Sequence, residues 1–142
     1  MKMPNHVQNG GFEQSTVNST DPGPFWTGAA VIVQAGNTQL LGLKNIRMSP
    51  GGSISQQLLP LEVGRVYTFK AAVGDAGQGS GGTLQVAITG NPTRSFDTDN
   101  LTRFPYIYYN FDFTATNATS ILTIINNASA NIQLDVISVK PA

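Results

Sequence analysis

The chain has no cysteine, one histidine and one tryptophan among 142 residues, and only 11% of its residues are charged. Without cysteine there is no disulfide framework, no thiolate metal site and no cysteine nucleophile. Eight basic and eight acidic residues give a formal net charge of zero and form no basic cluster. Nucleic acid and anionic membranes are therefore not expected as partners, because both attract concentrated positive charge.

Long apolar runs are also missing, so the sequence contains no segment typical of a signal peptide or a membrane span. The polar start, residues 1–4, fits either a protein that stays inside the cell or a module excised from a larger protein. The length predicts one domain over residues 1–142. A chain of this size can bury roughly two thirds of its unfolded surface without cross-links.

What is present is a series of short apolar segments separated by clusters of Gly, Pro, Asn and Ser, which predicts an all-β chain. Nine strands are predicted, at residues 7–12, 29–34, 39–48, 53–59, 66–73, 83–89, 106–114, 120–126 and 131–139. Nine short strands predict a two-sheet antiparallel β-sandwich. The glycine-rich residues 74–82 are interpreted as a hairpin loop between two of them.

The predicted strand 106–114 has an unusual outward face. Alternation divides it into an apolar row (Ile107, Tyr109, Phe111, Phe113) and an opposite row (Tyr106, Tyr108, Asn110, Asp112). Aromatic rings that stack on pyranoses, with planar polar groups beside them, suit a shallow glycan cleft. Tyr106, Tyr108 and Asn110 are therefore candidate contacts, with Arg103 and Phe104 at the edge. A second core layer or a subunit interface explains the same aromatics equally well.

Two carboxylates lie in otherwise apolar or glycine-rich segments near the two ends of the chain. Glu13 closes the segment NGGFE at 9–13, and Asp135 lies in LDVISV at 134–139. If neighbouring strands bring these segments together, two partly buried carboxylates without cationic neighbours need a cation or a proton. The alternative is that each carboxylate accepts backbone hydrogen bonds at a strand end. A competing metal candidate, DTDN at 97–100, is better explained as a solvated turn.

Catalysis has little support in the sequence. The single histidine, His6, is close to the start of the chain, where a Ser-His-Asp arrangement is hard to build. Paired carboxylates for glycoside hydrolysis are conceivable, but a cation between Glu13 and Asp135 would occupy the best pair. The chain is not expected to be an enzyme.

The order of these pieces resembles the jelly-roll carbohydrate-binding modules grouped around families 4, 9 and 22, which share the galactose-binding-like β-sandwich. The resemblance covers nearly the whole chain. It is carried by NGGFE at 9–13, Trp26, ISQQL at 54–58, LEVGRVYTF at 61–69, FDFTA at 111–115, the strand 121–125 and LDVISV at 134–139.

The resemblance implies a structural calcium ion bound by Glu13 and Asp135, with backbone carbonyls completing the site. Alternation places Gly11 on the same side as Glu13, so its carbonyl is an expected ligand. The sequence departs from the family at Val136, where a second aspartate is common. Trp26 is included among the expected sugar contacts, with burial in the core as its alternative.

Two functions are expected, the first from this resemblance and the second from the missing signal segment and cysteine, the Asn, Thr and Ser content and the aromatic outward row. The first is a non-catalytic module, on an extracellular, cell or particle surface, that holds a neutral oligosaccharide or polysaccharide. The zero net charge favours a neutral ligand. The second is a structural or assembly module of a bacterial surface, spore-coat or phage-tail protein, in which the same sandwich makes protein contacts and a homo-oligomer forms.

Overall fold

The computed structural model describes residues 4–35, 44–75, 81–98 and 107–142. These residues form eight β-strands and no helix. The strands are β1 (Thr27–Ala35), β2 (Lys44–Gln57), β3 (Val66–Asp75), β4 (Thr83–Ile88), β5 (Arg94–Asp97), β6 (Ile107–Thr114), β7 (Ile121–Asn126) and β8 (Ile132–Pro141). The all-β prediction is confirmed.

The strands form two antiparallel layers that share β1 and β2. In sheet I, the first half of β2 pairs with β8, and the order continues through β3 to β6. In sheet II, the second half of β2 pairs with β7, and the order continues through β4 to β5. Strand β1 follows β2 along both halves. This arrangement is a nearly closed sandwich, in which two strands pass from one layer to the other.

The bend that lets β2 serve both sheets lies at residues 49–52, Ser-Pro-Gly-Gly. Proline and glycine interrupt a regular ladder, because proline lacks an N–H donor and glycine adopts positive φ readily. Gly51 has a φ of 82°. On the partner strand, the register shifts between Ala29 and Val31, and Ala30 has a φ of 56°. Both strands therefore bend at the same level.

One hydrophobic core fills the space between the layers. Alternate residues of β3 and β4 are buried, and so are Phe111 and Phe113 of the apolar row predicted in β6, whereas Ile107 of that row is exposed. Residues of this core include Ile46, Met48, Ile54, Tyr67, Phe69, Leu84, Val86, Leu122, Ile124, Ile132, Leu134 and Val139. The outward residues of sheet I are consequently free to form a separate surface.

The structure corrects three strand predictions. Residues 7–12 form turns and no strand, because Asn9 and Phe12 adopt positive φ. The described part of the predicted strand 39–48, residues 44–48, and residues 53–57 of the next predicted strand belong to one continuous strand, β2, which bends and does not end. The short edge strand β5 was not predicted, since its four residues RSFD have no apolar alternation.

The residues that the structure describes contain no helix of the length and hydropathy needed to cross a bilayer.

The bend in β2 generates a stability prediction for two adjacent glycines. A Cβ on Gly52 would lie 2.6 Å from the carbonyl oxygen of Ala30 and 2.8 Å from that of Ser49, whereas a Cβ on Gly51 meets nothing within 4 Å. We expect Gly52→Ala to lower the free energy of unfolding by about 2–3 kcal/mol, because the backbone must shift. Gly51→Ala is the matched control and should cost about 1 kcal/mol through its positive φ alone. Urea titrations that rank the two variants in the opposite order would contradict this account of the bend.

Candidate functional site

The start of the described chain runs along β8. His6 N donates to Val139 O at 2.8 Å, and Ile137 N donates to Gly10 O at 3.0 Å. The side chain of Asn5 adds a third link, because its Oδ1 accepts from Val139 N at 3.1 Å. The segment that was predicted as a strand therefore lies beside β8, although its own backbone turns.

Glycines let this segment approach Asp135 closely. A Cβ on Gly10 would clash with the carbonyl of Ile137, so only glycine fits there. A Cβ on Gly11 would lie 3.5 Å from Asp135 Oδ1 and 3.8 Å from Glu13 Cγ. The structure thus brings Gly11, Glu13 and Asp135 together, although Gly11 reaches them through a turn and not through strand alternation.

Asp135 is the most perturbed acid in this cluster. Its side chain is fully buried, Oδ1 accepts from Val136 N at 2.8 Å, and Oδ2 has no hydrogen-bond partner. Burial raises the pKa of Asp135 to about 7, and repulsion from Glu13 adds to the increase, while the Val136 N–H opposes it. A carboxylate in this position needs a cation or a proton, as the sequence predicted.

Asn45 is a member of the cluster that the sequence analysis missed. The antiparallel ladder pairs Ile46 of β2 with Leu134 of β8. Continuing that register by one residue places Asn45 opposite Asp135. Asn45 is fully buried, and neither Oδ1 nor Nδ2 has a hydrogen-bond partner. An asparagine inside an apolar strand is unfavourable for β-structure, and that is the signal that could have identified it.

Glu13 completes the cluster from the solvent side. Its side chain is exposed, and Oε2 accepts from Lys44 N at 2.9 Å. Lys44 Nζ donates to the backbone oxygens of Glu13 at 3.2 Å and Ser15 at 2.6 Å. The expectation of two partly buried carboxylates without a cationic neighbour is wrong in these respects, since only Asp135 is buried and Lys44 lies against residues 13–15.

These groups suit a cation that prefers oxygen ligands. Asp135 Oδ2 and Asn45 Oδ1 are buried oxygens without donors, and Glu13 supplies a second carboxylate. Within the described ranges, no three His, Cys, Asp or Glu side chains are grouped so that they could hold a metal ion. A metal here would therefore depend on the Asn45 amide and on backbone carbonyls for its remaining ligands.

A second feature, which we call the outer face, is formed by the outward residues of β6, β3 and β8. The register aligns Tyr108 with Ala72 and Asp135. The next two rows across the same strands are Asn110, Lys70 and Ser138, followed by Asp112, Thr68 and Lys140. The polar and aromatic outward row predicted for β6 is therefore part of a broad polar surface.

A cavity of about 350 Å³ opens on this outer face. Tyr108, 44% exposed, forms one wall, and Lys70 Nζ lies 4.5 Å from the centre of its ring. The opposite wall comes from the N-terminal segment through Asn5, Gly10 and Gly11. The floor is Val136, Ile137 and Ser138, with Lys140 at the side. Apolar and polar groups thus converge in one open cleft.

The other expected contacts are placed differently. Trp26 is 4% exposed, stacks on Phe12 with ring centres 5.6 Å apart, and donates from Nε1 to Asn9 O at 2.9 Å. It belongs to the core and not to the outer face. Tyr106, Arg103 and Phe104 lie outside the described residues, as do the last two positions of the 97–100 segment.

Comparison with known proteins supports the fold. No family model matches the chain, and no curated protein is similar to it. Among solved structures, the enzymatically active domain of bacteriophage CBA120 tailspike protein 4 has a TM-score of 0.71 at 11% identity. The match covers 97% of this chain but 21% of the tailspike chain.

Two further structures contain glycans. The family 61 module TmCBM61, in complex with β-1,4-galactotriose, has a TM-score of 0.64 at 19% identity, over 98% of this chain and 99% of the module. The CBM22-1–GH10 modules of Clostridium thermocellum xylanase 10B, complexed with xylohexaose, have a TM-score of 0.60 at 11% identity. That match covers 83% of this chain and 26% of the xylanase chain.

The fold is the jelly roll of carbohydrate-binding modules. Modules of families 4, 16, 22 and 35 are also among the similar structures. The jelly-roll, galactose-binding-like architecture expected from the sequence is confirmed at the level of fold.

Because Asp135 is buried, we expect the free energy of unfolding to fall with rising pH when divalent cations are removed. A folded-state pKa near 7, against 3.8 for the free side chain, favours the folded state while Asp135 is protonated. That stability is complete below about pH 4 and is lost as the pH rises to about 7. The free energy of unfolding should fall by a total on the order of 4 kcal/mol over this range.

Urea titrations in chelator at pH 5, 6 and 8 measure this effect. Asp135→Asn should flatten the slope and raise stability at pH 8, because the amide carries no charge. Asp112→Asn, on the exposed outer face, is the control and should keep the slope. A wild-type profile that rises between pH 5 and pH 8 in chelator would show that Asp135 does not govern stability in this range.

Proposed function

We propose that the chain is a non-catalytic glycan-binding module and that the outer face of sheet I holds the sugar. The observation that carries this proposal is the cleft around Tyr108, where an exposed aromatic ring faces polar side chains on a rigid sheet. The jelly-roll fold supports it, because similar structures include complexes with galactotriose and xylohexaose. A surface or extracellular location is part of the same proposal.

The chemistry of the cleft suits a sugar chain. The Tyr108 ring presents an apolar face on which a pyranose ring can stack. Asn110, Ser138 and Asn5 offer amide and hydroxyl groups that can bind sugar hydroxyls. Because the cleft is open and hydrated, a dissociation constant of about 10–1000 µM is expected, or roughly 4–7 kcal/mol of binding free energy.

The proposal includes a structural calcium ion at the Asp135 cluster. Asp135, Glu13 and Asn45 would hold it together with backbone carbonyls, of which Gly11 is the first candidate. A bound calcium neutralises the two carboxylates and links the segment 9–13 to β2 and β8. Asn45 supplies an oxygen that compensates for the valine at position 136, where related modules often have a second aspartate.

A binding role is favoured over a catalytic one by the position of the acids. Glu13 and Asp135 are the carboxylates that converge, but Asp135 is fully buried beneath Gly11. A carboxyl group without solvent access cannot reach a glycosidic bond in a polymer.

A second candidate is the assembly role, favoured by the likeness to a tailspike domain at a TM-score of 0.71. Here the outer face and the neighbouring edge strand β6 would contact other protein chains. Light scattering separates the two candidates, because a stable trimer or larger oligomer in which Tyr108 becomes buried favours assembly. A monomer with Tyr108 accessible favours sugar binding.

Removing the Tyr108 ring tests the glycan site. We expect Tyr108→Ala to weaken binding to a galactan, xylan or other polysaccharide found by calorimetric screening by at least 10-fold, because stacking area is lost. Phe25→Ala is the matched control, since Phe25 is 51% exposed and does not line the cavity next to Tyr108. If only Phe25→Ala weakened polysaccharide binding, the binding site would lie near Phe25 and Trp26 and not at Tyr108.

Calcium removal tests the metal proposal. Calcium at 100 times its dissociation constant stabilises the folded state by about 2.7 kcal/mol. For a chain of this size, the melting temperature should rise by roughly 5–10 °C at pH 8. Asp135→Asn should abolish the rise, Asn45→Ala should reduce it, and Asp112→Asn should preserve it. An unchanged melting temperature in both chelator and calcium would exclude the site.

A further inference from the structure

The lysines of the outer face are the observation from which this inference starts. Lys70 lies in the central row between Asn110 and Ser138, and Lys140 lies in the next row beside Thr68. Both side chains are exposed, and both line the cavity next to Tyr108. The local charge of this surface is therefore positive, although the chain as a whole has a net charge of zero.

Among the described residues, neither lysine forms an ion pair with an acid. Within the described ranges, the sole ion pair joins Arg65 to Glu62 at 3.2 Å, so neither Lys70 nor Lys140 has a carboxylate within 4.0 Å. The described residues that line the cavity include no aspartate or glutamate. The exposed acid of the outer face, Asp112, is engaged by Thr68, whose Oγ1 donates to Asp112 Oδ1 at 2.6 Å.

The position of the two ammonium groups relative to the ring fits one ligand chemistry. Lys70 Nζ lies over the Tyr108 ring, 4.5 Å from its centre, and Lys140 lines the same cavity from the next cross-strand row. A pyranose bound near Tyr108 would lie next to the ammonium groups of Lys70 and Lys140. A carboxylate on that sugar would accept charge-assisted hydrogen bonds, which are stronger than bonds to neutral hydroxyls.

We propose that the glycan bound by this face is acidic, a polysaccharide of uronic acids, with Lys70 and Lys140 as the residues that select the carboxylate. This inference rests on the proposed function. The net charge of the whole chain favoured a neutral glycan, whereas the two lysines at the cleft favour an acidic one. Two lysines and one aromatic ring make a small cationic spot, unlike the long basic stripe that a nucleic acid requires.

Pairs of polymers that differ only in charge provide the test. Polygalacturonate, alginate and glucuronoxylan are each compared with their carboxyl-reduced forms by calorimetry at low salt. We expect at least one acidic polymer to bind 10-fold or more tightly than its reduced form. Lys140→Gln and Lys70→Gln should each weaken binding to the acidic polymer by about 3-fold, and 0.5 M salt should weaken it further. The loss caused by each lysine variant should be larger for the acidic polymer than for its reduced form.

Arg65→Gln is the matched control, because it removes an exposed positive charge outside the cavity. Equal losses in Arg65→Gln and in both lysine variants would indicate non-specific attraction and overturn the inference. Equal binding of the acidic and reduced polymers would also overturn it, while leaving the proposed glycan-binding function intact. If no polymer of either kind binds and a wider neutral panel also fails, the proposed function itself is wrong and this inference fails with it.

Discussion

The shared strand β2 is the constraint on which the rest of the structure depends. One strand must pair with β8 in sheet I through residues 46–48 and with β7 in sheet II through residues 53–57. The Ser-Pro-Gly-Gly bend makes this geometry accessible, and the irregularity in β1 at Ala30 accompanies it. Without the bend, the two sheets would not face each other across one core, and β8 would not lie beside the start of β2.

The pairing of β2 with β8 also creates the most demanding local environment. It places Asn45 and Asp135 side by side in full burial, with three polar atoms that have no hydrogen-bond partner. Unsatisfied buried polar groups of this kind cost about 1–3 kcal/mol each, and more when charged. A fold retains such a cluster where a ligand or a proton satisfies it. A bound cation would satisfy the Asp135 carboxylate and Asn45 Oδ1, whereas a proton on Asp135 would remove the buried charge.

The candidate metal centre and the glycan cleft are neighbours on the same sheet. Asp135 belongs to the cross-strand row that ends at Tyr108, and the residues immediately after it, Val136 to Ser138, form the floor of the cavity. The glycines that cover Asp135 also form one wall. Order at the acid cluster therefore fixes the shape of the cleft, although no ligand group needs to be shared. The acid cluster around Asp135 and the proposed binding cleft around Tyr108 are therefore adjacent but separate.

The sequence alone determined the all-β class, the outward position of Tyr108, Asn110 and Asp112 in β6, and the approach of Glu13 to Asp135, because alternation and turn residues are local signals. Ile107, assigned to the apolar row of the same strand, is exposed. The sequence did not reveal the continuity of β2, the turns at residues 7–12 or the burial of Asn45 opposite Asp135, and it left the core position of Trp26 as an alternative. Those depend on long-range pairing and on which backbone atoms face each other. The net charge suggested a neutral ligand, but only tertiary structure brought Lys70 and Lys140 beside Tyr108. The reason is that strand register, and not composition, determines where surface charges lie.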